Sequence, residues 1–312
     1  ILSGLVGSEM CIRDSFMNRI TKYVSAVALA GAVTVSTPLT TQASGGESQQ
    51  TAPSHSTQTQ TPASQTDLGV QNYMAVSWYQ NSAEAKALYA QGYNTAKANL
   101  DREIKNNKGK KKLAIALDID ETVLDNSPYQ GYASLNNKSH PDGWHEWVES
   151  AQAKPVYGAK DFLNYADKKG IDIYYISDRD QDKDFKPTQE NLKNQGLPQA
   201  DKEHIMLKGK NEKDKSARRD KVRQDHKLIM LFGDNLLDFD NPKEATKESR
   251  DEFLDAHAKD FGKKYIIFPN PMYGSWETTV YGNQHGLSNE QKDQLRKQSI
   301  KYFDPQTSEV KH

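Results

Sequence analysis

The chain has 312 residues, with 41 Lys and Arg against 42 Asp and Glu and a net charge of −1, and its basic residues are dispersed. That balance leaves no electrostatic footprint for a nucleic-acid polymer or an anionic membrane surface. A single cysteine, Cys11, excludes a disulfide framework, and eight histidines without clustering or ligand spacing argue against a zinc enzyme or a histidine phosphatase.

Residues 1–16 read as an extraneous N-terminal extension and are set aside from the fold. From Met17, basic Arg19 and Lys22 precede an apolar, small-residue run at 23–35 and then Thr41-Gln42-Ala43. This is the pattern of a signal peptide over 17–43, cleaved after Ala43, with a run too short for a convincing membrane span. Cys11 then lies outside the mature chain, so no thiol remains for a cysteine-based phosphatase or protease. Nor is there a cysteine at the cleavage site to carry a lipid. The expectation is a secreted, extracellular protein with no membrane anchor. Residues 44–66, rich in Ser, Thr, Gln and Pro, read as a disordered leader.

Residues 67–110 form an N-terminal helical segment, with helix expected over 67–106. Tyr89, Tyr93, Ala96, Leu100 and Ile104 recur at three- and four-residue spacing, and Trp78 and Tyr79 enlarge the same face. Such an aromatic stripe is expected to pack on the domain that follows. Residues 113–117 are a continuous apolar run, the composition of a strand buried on both faces of a parallel sheet. An insert at about 126–155 carries Trp144 and Trp147 on a short helix.

Strand and helix then alternate. A helix at 158–169 stops at Gly170, and a strand at 171–176 ends in Ser177-Asp178-Arg179. Pro187 suits the first turn of a helix running to about 195. A short strand at 205–207, a charged helix at 213–223 and an apolar strand at 228–232 follow, the last ending in Gly233-Asp234-Asn235. Helices at 245–261 and 288–302 flank a last strand at 265–268. This alternation predicts an α/β fold: a doubly wound parallel sheet in one core domain, 111–305, under a helical cover from the N-terminal segment and the insert.

The core strands end in chemistry rather than in plain turn residues. Asp118, Asp120 and Thr122 form D-x-D-x-T after the first strand, where ligands bind in an open α/β sheet. In extended chain the i and i+2 side chains point the same way, so both carboxylates face one pocket and need a cation or a shared proton. Ser177 ends the second strand, Lys215 starts the helix before the strand at 228–232, and Asp234 and Asp238 follow that strand.

This order, D-x-D-x-T, Ser, Lys and G-D-x-x-x-D, resembles the haloacid dehalogenase (HAD) superfamily. More closely, DIDETVLDNSPY (residues 118–129) and IMLFGDNLLDF (residues 229–239) resemble the paired signatures of the class C bacterial acid phosphatases, some of them described as 5′-nucleotidases. The resemblance runs from about residue 67 to the C-terminus. It departs from the family at Ala116, where a β-branched residue is usual, and in lacking a lipid-bearing cysteine. It implies a HAD-like, Rossmannoid fold, phosphate monoester hydrolysis and an acid optimum.

The chemistry of these residues fits that implication. A phosphate dianion repels a carboxylate nucleophile, so a cation must screen the two. Asp118, Asp234 and the backbone carbonyl of Asp120 are the expected ligands of Mg²⁺. Asp118 is the expected nucleophile and Asp120 the general acid and base, with Ser177 and Lys215 binding phosphoryl oxygens. Thr122 is expected to order the loop. Asp238 is open between the metal shell, a Lys215 partner and a structural role. Tyr129 in the loop after the first strand, Trp144 in the insert, and Tyr273 in the loop at 269–277 are candidate substrate contacts, and the resemblance maps a stacking ring onto Tyr273. A phosphotransferase and a catalytically silent binding protein remain as alternatives. Small-molecule phosphate monoesters are the expected partners, and the sequence leaves room for a homodimer.

Overall fold

The computed structural model describes residues 66–240 and 246–312. The extension, the signal peptide and the leader up to residue 65 lie outside the described residues. Helices α1 (Gly69–Asn81) and α2 (Ala83–Asn106) open the described chain, followed by β1 (Lys112–Leu117), β2 (Leu124–Asp125), α3 (Ser127–Leu135), α4 (Trp144–Glu149) and β3 (Lys154–Pro155). Next come α5 (Ala159–Lys168), β4 (Asp172–Asp180), α6 (Gln181–Asn194), β5 (Ile205–Lys208), α7 (Ser216–Asp225) and β6 (His226–Gly233). A 3-10 turn at Leu236–Asp238 precedes α8 (Lys247–His257), β7 (Tyr265–Ile267), α9 (Ser275–Val280), α10 (Asn289–Gln298), β8 (Tyr302–Asp304) and β9 (Glu309–Lys311).

Five strands form one parallel sheet in the order β5-β4-β1-β6-β7, with β1 at its centre. The strand order runs both ways from β1, which makes the carboxyl end of β1 the switch point where a crevice opens. This is the doubly wound parallel sheet expected from the alternation. Leu113, Ile115 and Leu117 point to one face, with Tyr93 and Leu100 of α2, Phe162 and Leu163 of α5 and Leu192 of α6. Ala114 and Ala116 point to the other, with Val222 of α7, Phe253 of α8 and Tyr265 of β7. Both faces are covered, which is why β1 is apolar without alternation.

Local chemistry moved several boundaries. The helix expected over 67–106 is two, because Ser82 is extended (φ −81°, ψ 143°) and its side chain accepts the Ala85 N–H at 3.0 Å, starting α2 afresh. Pro187 lies inside α6 rather than in its first turn, because Asp180 caps the helix earlier, accepting from the N–H groups of Asp182 and Lys183. The strand expected to end before Ser177 continues as β4 to Asp180, which pairs with Lys208 after a break in register. Lys215 precedes α7 as its N-cap residue. Ser288 caps α10, which ends at Gln298, and Tyr302, expected as its last residue, instead opens the β8–β9 hairpin.

Candidate active site

The loop after β1 is wound tightly by its own backbone. The N–H groups of Val123 and Leu124 both donate to Ile119 O at 2.8 Å, and the Glu121 N–H donates to Leu124 O at 2.8 Å. Glu121 takes a left-handed conformation (φ 53°), unusual for a residue with a side chain. The helical cover fastens this loop from outside. Tyr89 of α2 donates its hydroxyl to Glu121 O, and Tyr93 donates to Thr122 O at 2.5 Å. The aromatic stripe of α2 therefore packs on the domain and also holds the backbone that carries Asp118 and Asp120. Thr122, expected to order the loop, is buried with no hydrogen-bond partner for its hydroxyl among the described residues.

Asp118 sits directly beyond β1, its N–H donating to Phe232 O of β6 at 3.0 Å. One carboxylate oxygen from each of Asp118, Asp234 and Asp238 lies within 4.8 Å of the others. Lys215 enters this group from the start of α7, donating to Asp118 Oδ1 and to Asp238 Oδ1, the latter at 2.6 Å. Asp238 also closes a capping box, its Oδ2 accepting the Asn235 N–H at 2.9 Å. It is thus at once a Lys215 partner, a turn cap and a member of the carboxylate cluster. The glycine before Asp234 is required here, because a Cβ at Gly233 would lie 2.2 Å from Asp238 Cβ.

Crowding of charge away from water decides the electrostatics. Burial pushes the Asp118 carboxyl well above its ordinary value; Lys215 pulls it back, while Asp238, Asp120 and Asp234 push it further up. Burial, then Asp238, raises Asp234 to about 7, against the lowering effects of Asn270 and Lys215. Burial works against the Lys215 ammonium, yet Asp118, Asp238 and Asp178 outweigh it and hold the group above its usual value. Three carboxylates against one ammonium leave uncompensated negative charge, and the all-oxygen donor set suits a hard divalent cation.

Asp120 faces a different set. Arg179 forks onto it, Nη2 at 2.7 Å and Nε at 3.0 Å from Oδ1, and Asn126 Nδ2 donates to the same oxygen at 2.8 Å. Ser177 Oγ lies 3.3 Å from Asp120 Oδ2 and accepts the Arg179 N–H at 3.2 Å. Arg179 is itself buried, with Nη1 donating to Thr188 Oγ1 at 3.0 Å. Sequence reasoning passed over Arg179 as part of a strand-ending turn. The available signal was its i+2 spacing from Ser177, which puts both side chains on one side of β4.

Asp118, Asp120, Lys215, Asp234 and Asp238 open on a cleft of about 1120 Å³. Tyr129, Trp144 and Tyr273 all line it. Tyr129 corrects the expectation of a loop residue: it lies in α3 and is 3% exposed, with its hydroxyl unpartnered among the described residues. Its ring meets that of Trp144 edge-on at 5.1 Å, and Arg179 lies over Trp144 at 5.5 Å. Tyr273 stands on the loop after β7. That loop is tied to the cluster by Asn270, whose Nδ2 donates to Asp234 Oδ2 at 2.8 Å. Asn126, Glu121 and Asn270 join Arg179 among the contacts that sequence reasoning missed.

A family model for HAD superfamily, subfamily IIIB (acid phosphatase) matches residues 32–276. The class C acid phosphatase from Bacillus anthracis is 43% identical, covering 77% of this chain and 100% of its own, with a TM-score of 0.73. The same enzyme with tungstate bound gives 44% identity, the same coverages and a TM-score of 0.74. With matching motifs, matching fold and a carboxylate cluster at the switch point, the chain belongs to the class C acid phosphatases of HAD subfamily IIIB and is a phosphoric monoester hydrolase.

Proposed function

We propose that the chain is an exported, magnesium-dependent phosphatase that hydrolyses small phosphate monoesters, nucleoside 5′-monophosphates among them, through a phosphorylated Asp118. One observation carries this reading: a buried Asp118 lies against Lys215 and two further carboxylates at the floor of an aromatic-walled cleft. Export rests on the pattern at residues 17–43. Held by Asp118, Asp234 and the Asp120 carbonyl, with Asp238 behind them, Mg²⁺ would screen the substrate dianion from the attacking carboxylate.

The protein's own groups do the rest. An Asp118 oxygen attacks phosphorus in line, and the ester P–O bond breaks as the new bond forms. The leaving oxygen takes its proton from Asp120. Asp120 then removes a proton from water, whose oxygen attacks phosphorus and releases phosphate and the Asp118 carboxylate. Lys215 and Ser177 bind phosphoryl oxygens as charge develops on them. Arg179 and Asn126 hold the Asp120 carboxyl in place. Tyr273 supplies a ring for a planar leaving group, and Trp144 and Tyr129 form a wall of the same cleft.

The test is phosphate release from a nucleoside 5′-monophosphate, an aryl phosphate and glycerol phosphate, with and without chelator, with quenched samples analysed for phospho-Asp118. Chelator should abolish turnover and Mg²⁺ restore it. Full activity after exhaustive chelation would overturn the metal assignment. Added glycerol that captured most of the phosphoryl group would move the reading to a phosphotransferase. Tyr273→Ala should raise KM for the nucleotide far more than for glycerol phosphate, and equal rises would remove the nucleotide preference.

A further inference from the structure

Glu121 has no part in the chemistry above, yet it is 0% exposed and lies between Asp120 and Thr122. A buried carboxyl is unfavourable unless hydrogen bonds replace its water. Two do. Oε1 accepts the Asn126 N–H at 2.7 Å, and Oε2 accepts the Tyr273 hydroxyl from 152 residues further along the chain. The first bond stays within the nucleophile loop. The second joins that loop to the segment after β7, where the Tyr273 ring lines the cleft.

The same ring is fixed from its backbone end. Asn270 Oδ1 accepts the N–H groups of Met272 at 3.0 Å and Tyr273 at 3.4 Å, while its Nδ2 holds Asp234. Tyr273 is therefore held at both ends, by Asn270 at the main chain and by Glu121 at the phenol oxygen. A ring held at its far end loses the freedom to swing about its side-chain torsions. A stacking surface ordered in advance binds more tightly than one that must be ordered by the ligand.

We propose that Glu121 is a positioning residue for leaving-group recognition: through the Tyr273 hydroxyl it sets the ring at the angle that stacks a planar leaving group. This rests on Tyr273 being the stacking ring of the reading above. It adds that the phenol oxygen, and not the ring alone, is needed, and that a carboxyl beside the acid/base carries the specificity. Phosphate esters without a planar group gain nothing from the tether.

The experiment measures kcat and KM for Glu121→Gln, Tyr273→Phe, the double variant and Tyr273→Ala. A nucleoside 5′-monophosphate is compared with glycerol phosphate at saturating Mg²⁺. Tyr273→Phe should raise the nucleotide KM on the order of 3- to 10-fold relative to that of glycerol phosphate, the scale of one lost hydrogen bond. Glu121→Gln, which keeps the Asn126 bond and can only donate to the phenol oxygen, should give a smaller selective rise, and the double variant should be no worse than Tyr273→Phe alone. If Glu121→Gln does not fold, Tyr273→Phe decides alone, since Asn126 still partners Glu121 in it. A selective rise in Tyr273→Ala without one in Tyr273→Phe would overturn the tether and leave the stacking ring standing. No selective rise in either would remove both. Additive effects in the double variant, or a uniform fall in kcat on both substrates, would show that Glu121 serves the loop and not recognition.

Discussion

Asp234 is where function and stability pull apart, and Asp234→Asn separates them. Its carboxyl is raised from 3.8 to about 7 by burial and by Asp238. A carboxyl raised in the fold binds its proton more tightly there than in the unfolded chain. Its stabilising effect is therefore full below the unfolded value and is lost as pH rises through about 7. Three units at about 1.4 kcal/mol each set a ceiling of about 4 kcal/mol of destabilisation in the metal-free protein at pH 8. Sharing of that repulsion with Asp118 and Asp238, and local relaxation, bring the expected figure to about 2 kcal/mol. Asn keeps the shape and an oxygen for Asn270 while removing the charge. In chelator at pH 8, Asp234→Asn should therefore melt higher than the unaltered protein by roughly 4–8 °C. At pH 4.5 the difference should shrink. With Mg²⁺ present the unaltered protein should recover through ligand linkage and the variant should not, and the variant should lose turnover. Thermal melts at two pH values, with chelator and with Mg²⁺, read all of this. An Asp234→Asn variant no more stable than its parent in chelator at pH 8 would refute the reasoning.

Other expectations follow from single contacts. Asp118→Asn should abolish turnover and leave no acid-stable phosphoprotein in quenched samples. Asp120→Asn should lower kcat on poor leaving groups by about 10²–10⁴-fold and by less on activated aryl esters, which rapid-mixing assays can compare. Arg179→Gln breaks the fork on Asp120 and should lower kcat by roughly 10- to 100-fold with a smaller change in KM; an unchanged kcat would mean that Asn126 and Ser177 suffice. Tyr89→Phe removes the donor to Glu121 O and should destabilise the protein by about 1 kcal/mol, seen as a lower denaturant midpoint with unchanged slope.

Much of the architecture was legible because it is encoded over short stretches. The apolar run at 113–117, the Gly170 stop and the strand before Gly233 each depend on a period or a backbone preference spanning a few residues. Right-handed crossovers then leave few ways to assemble them. Once the strands are parallel, their carboxyl ends share one edge of the sheet. Asp118 and Asp234 therefore meet at that edge, and Ser177 reaches it beside Asp120. Local chemistry overrides periodicity elsewhere: Ser82 and Asp180 each start a helix from a side-chain bond that hydrophobic periodicity does not register.

What the tertiary structure alone decided is which partner each polar group takes. Arg179 reaches Asp120 across 59 residues, Asn270 reaches Asp234 across 36, and Tyr273 reaches Glu121 across 152. No period or propensity links such residues, because the bond exists only after the sheet order β5-β4-β1-β6-β7 has set their segments side by side. Tyr129 makes the same point for apolar surface. By sequence it is an aromatic after a turn, and only the packing of α3 against Trp144 of α4 makes it a buried wall of the cleft. Sequence determines the elements and the edge where they end; burial then selects the hydrogen bonds, since a polar group taken out of water must find whatever donor or acceptor the fold has placed beside it.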